Sequence, residues 1–104
     1  MKDIQKQESL KTLKNILTPN DTIYGLVRKV SSSGLSRTMD FYTIKQNKPI
    51  SVSYHIANIL GCRYDSSLNG AKINGMGMDV CLDAVLKLSI QVFGDAKKLK
   101  AGYL

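Results

Sequence analysis

The segment Val30-Ser31-Ser32-Ser33-Gly34-Leu35-Ser36-Arg37, with Arg28 and Lys29 just before it, gathers groups that can hold a phosphate. These are hydroxyls, backbone N–H groups beside a glycine, and three cations. Arg28, Lys29, Ser33, Ser36 and Arg37 are therefore candidate contacts to an anion or a nucleic acid. The bland alternative is a solvated hairpin loop, in which serine and glycine serve turn geometry. A serine nucleophile needs a positioned base. The sole histidine, His55, has nothing in the sequence to bring it to the loop. Catalysis is not expected, and the chain reads as a binding protein rather than an enzyme.

Two further sites carry chemistry-bearing residues. Asn74-Gly75-Met76-Gly77-Met78-Asp79 places alternating glycines before a helix, where a phosphate could reach the helix N-terminus. No strong strand of a βαβ unit precedes it, and Asp79 would put negative charge at that end. Glycines that let the backbone pass close to a packed helix are the favoured reading. Met76 and Met78 are either gap-fillers or a soft patch for a partner. His55 and Asn58, three apart on a short helix, would face one partner. Met76, Met78 and His55 are thus the candidate partner contacts. A structural zinc site needs about four ligands at recognisable spacing. One His and two isolated cysteines, Cys62 and Cys81, do not supply it, so neither metal nor cofactor is expected. Each cysteine reads as a small buried hydrophobe.

The elements that must position these residues follow from periodicity. Leu10, Leu13, Ile16 and Leu17 give a helix over 4–17 one apolar stripe, ended at Thr18-Pro19. Thr22–Val30 and Arg37–Lys45 are rich in β-branched and aromatic residues and read as an antiparallel hairpin. Asn47-Lys48-Pro49 turns the chain into a helix over 51–60, with Ser51 or Ser53 as cap and Gly61 closing it. Asn69-Gly70 marks a tight turn with a short hairpin or single strand around it. A third helix runs from near Gly77 or Asp79 to Gly94. It is apolar almost all round except for Asp83, Lys87 and Gln91. The expectation is an α+β fold: a small antiparallel sheet of two to three strands packed against about three helices, in the order α-β-β-α-(β)-α. Residues 1–94 would form a single domain and residues 95–104 a frayed basic tail, although Leu99, Tyr103 and Leu104 could dock.

Composition bounds the partners. The 104 residues carry 15 Lys and Arg against 8 Asp and Glu, a formal charge of +7. The excess sits in the hairpin and its neighbours and in the tail, while the last helix is slightly acidic. An uneven basic surface favours polyanions such as nucleic acid, or an acidic partner protein. Solubility alone is the ordinary explanation of such a charge. No apolar run approaches the ~20 residues of a spanning helix, and the N-terminus lacks the apolar stretch of a signal peptide. A soluble intracellular protein with no membrane contact is expected.

Thr22–Arg37, with its VSSSGLSR run, followed by the later Gly75-Met76-Gly77-Met78-Asp79, resembles a family of small uncharacterised bacteriophage and prophage proteins. In that family a VSxSGxSR loop is paired with a GCGMD segment opening a helix. The resemblance covers about residues 10–93. Met76 stands where the family usually has Cys, which argues against an essential thiol there, and Val80 and Cys81 depart from the usual Met-Gly. The resemblance implies a phage accessory protein in the cytoplasm of a bacterial host cell. Its expected targets are nucleic acid or a nucleoprotein defence complex, as for an anti-CRISPR or other anti-defence inhibitor. A protein-only interaction module or homodimer is the alternative, and a small nucleotide-binding protein or enzyme comes third.

Overall fold

Pro19 and a left-handed Asn20 (φ 77°) stop the first helix and turn the chain into its first strand. In the computed structural model, which describes residues 2–75 and 79–102, that helix is α1, Lys2–Ile16. It is followed by β1 (Thr22–Val30), β2 (Ser36–Lys45), β3 (Lys48–Ser51), α2 (Ser53–Leu60), β4 (Tyr64–Asp65), β5 (Gly70–Asn74), α3 (Val80–Phe93) and β6 (Lys100–Gly102).

The strands form one six-stranded mixed sheet in the order β4-β5-β2-β1-β6, with β3 also on β2. The α+β class is as expected, but a sheet of two to three antiparallel strands is not what forms. Each missed strand lacks the alternation that marks a strand in sequence. β3 has four residues and carries Pro49, which an edge strand tolerates. The turn before it is Gln46-Asn47, both at positive φ, so the chain reverses in two residues and pairs back on β2. β4 has only two residues. β6 comes from the segment expected to fray and pairs in parallel with β1 over Thr22–Tyr24. Ser89, fully buried on α3, fastens that segment: its hydroxyl accepts the Leu99 N–H (3.0 Å) and donates to the Asp95 carbonyl. Leu99 itself is buried, so the connection to β6 is part of the core.

Along β2 the side chains alternate. Met39, Phe41 and Thr43 are buried, while Thr38, Asp40 and Tyr42 are only half-buried. The buried set meets Leu13 and Leu17 of α1 and its end, Ile56 and Ile59 of α2, and Val85, Leu88 and Val92 of α3 in one core. The helices thus cover one face of the sheet, and the other face is open. α3 is less buried than its apolar composition suggests, leaving Leu82 and Ile90 exposed. Its Asp83–Lys87 pair forms at 3.0 Å on the solvent side.

β3 and β5 flank the same edge of β2, at Tyr42–Lys45 and Ser36–Met39 respectively. Between them the chain crosses into α2. Val52, not a serine, precedes the helix. The Ser53 hydroxyl instead accepts the Phe41 N–H (2.6 Å) and donates to Asp40 Oδ1 (3.0 Å), giving Phe41 the partner a strand would have supplied. Gly61 closes α2 in the left-handed conformation (φ 73°).

Candidate functional site

The geometry of the open face turns on one irregularity in β1. Leu26 pairs with Asp40, Val27 with Met39, and then Lys29 with Thr38, so Arg28 is an extra residue in a β-bulge. Strict alternation from Leu26 would have sent Lys29 to the helix-covered side. The bulge shifts the phase and puts Lys29 beside Thr38 on the open face. β5 sets Lys72 against Thr38 from the other side, and the Lys72 N–H bonds to the Arg63 carbonyl (2.8 Å). Lys29, Thr38, Lys72 and Arg63 therefore lie side by side across the sheet, a row of roughly 14 Å at the usual strand spacing.

This row floors an open depression of about 580 Å³. Ser31, Ser32 and Ser36 border it from the β1–β2 loop, and Tyr64, Asp65 and Ser66 from β4 and the turn after it. Three cations thus face one carboxylate. Asp65 is committed locally: its Oδ1 accepts the Ser67 hydroxyl (2.6 Å) and N–H (2.9 Å). The Ser67 hydroxyl, then its N–H and that of Leu68, hold the Asp65 carboxyl below its ordinary range, with Lys29 adding a smaller pull.

The five residues expected to bind an anion do not act as one cluster. Lys29 and Ser36 line the depression. Ser33 is turned into its own loop, its hydroxyl 3.2 Å from Ser31 Oγ and accepting the Leu35 N–H. Arg28 is exposed in the bulge and is not part of the lining. Arg37 lies on the opposite side of β2 from Ser36 and donates from Nη1 to the Gly75 carbonyl (2.8 Å), joining β2 to the approach to α3. Gly75 packs against that helix so closely that a Cβ would sit 2.9 Å from Val80 Cγ2, and its φ of 141° suits glycine alone.

Arg63, Lys72 and Thr38 are not among the contacts expected from sequence, whereas Tyr64 is one of the aromatics interleaved with the basic residues. The signal for those three was topological: only the β5–β2 register brings residue 72 against residue 38. Next to the depression, Tyr24 and Tyr42 form a cross-strand stacked pair with ring centroids 5.4 Å apart. A shallow notch of about 370 Å³ follows, lined by Leu26, Asp40, Tyr42, Pro49 and Ser51.

His55 and Asn58 do face one partner, and it is within the chain. Asn58 Nδ2 donates to Ser9 Oγ (3.0 Å), and Ser9 Oγ lies 3.0 Å from His55 Nδ1, a clamp between α2 and α1. Burial pushes the His55 pKa down, which favours the neutral ring. Met76 and Met78 lie outside the described residues. Cys62 and Cys81 are free thiols, both pushed up by burial, with Lys87 pulling Cys62 and the Gly25 amide pulling Cys81 part of the way back. Among the described residues no group of His, Cys, Asp and Glu could hold a metal ion, and no helix is long and apolar enough to cross a membrane. Comparison with protein-family models, curated proteins and solved structures returns no match.

Proposed function

We propose that this chain is a non-enzymatic, phage-type accessory protein that binds single-stranded nucleic acid on the open face of its sheet, in the bacterial cytoplasm. The strand it meets is either free or displayed by a nucleoprotein defence complex. The observation that carries the reading is the row Lys29–Thr38–Lys72–Arg63 flooring a serine-rimmed depression. Lysine and arginine neutralise phosphates, and hydroxyls donate to their oxygens. Tyr64 at the rim and Tyr42 beyond it supply ring surface of the kind on which unpaired bases stack. The sheet face forms the floor of this surface, with the serine-glycine loop as one wall.

Fluorescence anisotropy with labelled single strands and duplexes, across a salt series, tests it. Affinity should fall with salt with a log–log slope near −2 if about three phosphates are neutralised. The combined Lys29→Glu, Lys72→Glu and Arg63→Glu variant should lose that binding, while Arg28→Glu, outside the depression, should cost far less. Absence of binding to any single strand at low salt would overturn the reading. Equal loss for Arg28→Glu would show that net charge, not this face, is responsible. Capture of an acidic protein on the same face, with no nucleic acid, would replace it.

A further inference from the structure

The notch beside the phosphate-type depression has a polar group placed for a specific task. Asp40 stands on the open face two residues along β2 from Thr38, about 7 Å away. Its Oδ1 is held twice, accepting the Ser51 hydroxyl and the Ser53 hydroxyl, each at 3.0 Å. These bonds fix the carboxylate plane. Oδ2 has no partner among the described residues. Leu26, Tyr42 and Pro49 surround it with apolar surface, so a ligand group that reaches Oδ2 does so in a partly dry setting where a hydrogen bond counts for more.

We infer that this notch reads an unpaired base that carries an exocyclic amine, cytosine or adenine in preference to uracil or thymine. The inference rests on the nucleic-acid reading above and gives it a base preference. A strand whose phosphate sits on Lys29 and Lys72 has its neighbouring base within reach of Tyr42 and Leu26. An acid in a phosphate-binding face is a cost unless it meets a donor. The amino group of cytosine is such a donor, whereas the corresponding carbonyl of uracil repels the carboxylate. Ring stacking alone would not separate these two pyrimidines. The preference belongs to the base and is the same in RNA and DNA.

The design of the site provides its own control. Asp40→Asn keeps an oxygen for Ser51 and Ser53 but turns the free position into an N–H donor. Anisotropy titrations of the intact chain with labelled oligo(C) and oligo(U), in RNA and DNA forms at low salt, give the readout. The wild type should bind oligo(C) at least about fivefold more tightly than oligo(U). Asp40→Asn, with an unchanged thermal midpoint, should reverse that order. Equal affinity of the wild type for the two homopolymers would overturn the inference while leaving the nucleic-acid reading standing. So would an equal loss for both in Asp40→Asn, because Asp40 would then only position β3 and α2. Failure to bind either homopolymer, with the salt series also blank, would remove the underlying reading and this inference with it.

Discussion

The two faces of the sheet are built from the same strands and live by different rules. On the covered face, Ile23, Phe41 and Ala71 are fully buried, and α3 lies so close to β1 that a Cβ on Gly25 would stand 2.5 Å from Cys81 Sγ. On the open face, a residue or two away, Lys29, Thr38, Asp40 and Lys72 keep contact with water. Stability is concentrated on one side, because buried area and close packing supply it. The other side is left free to carry unbalanced charge. A substitution should therefore act on stability or on binding according to which way its side chain points, even between adjacent residues.

The largest test of this division is Phe41→Ala. Removing this side chain, the largest fully buried one among the described residues, should cost about 3–5 kcal/mol, read as a lower midpoint in urea. Gly25→Val comes next. Its side chain would meet the short, buried Cys81 as well as the flexible end of Met39, and about 1–3 kcal/mol of overpacking is expected in the same assay.

The α1–α2 clamp should give a smaller, pH-dependent effect. The folded state holds His55 below its ordinary 6.5, so the unfolded chain binds more protons in the window beneath that value. Stability should then be full above about pH 6.5 and fall as pH drops toward the folded pKa. His55→Gln should flatten that part of a stability-against-pH series. The smallest effect belongs to the open face. Lys29→Glu, Lys72→Glu and Arg63→Glu together should change unfolding free energy by no more than about 0.5 kcal/mol per site. A large loss of stability there would break the comparison.

Much of the covered face was legible in the sequence. The hairpin strands, the three helices and the glycine stops of the last two came from periodicity and from residues with one physical use, Gly61 and Gly94. The open face was legible only in part. Lys29 is expected from sequence as a cation flanking the serine-glycine loop, and the structure adds that the bulge places it beside Thr38. A bulge is not written in a single strand, because it exists only as a mismatch with the strand opposite. Lys72 and Arg63 were invisible for the same reason, and β6 because Lys100-Ala101-Gly102 gains its strand character from Tyr24 and Ser89 rather than from its own residues. The serine loop lines the depression only in part. Its hydroxyls are used in part to hold the loop itself, as in the Ser31 hydroxyl accepting the Ser36 N–H at 3.2 Å.

The bulge at Arg28 has a second consequence, for how copies of this chain behave at high concentration. β6 covers the outer edge of β1 only as far as Tyr24, and beyond it Leu26–Val30, paired with β2 on one side, has no strand on the other among the described residues. Leu26, Val27 and Val30 are exposed there. A flat apolar strand edge of that kind is a template on which other chains add and aggregate. The extra residue spoils the template, because its kink puts the N–H and C=O groups out of step with any straight strand, and Arg28 and Lys29 add repulsion between copies. Deleting Arg28 would straighten the edge and remove one of its cations, while Lys29, then next to Val27, would stay opposite Thr38 on the open face. Colloidal stability would fall while the charged face kept its row.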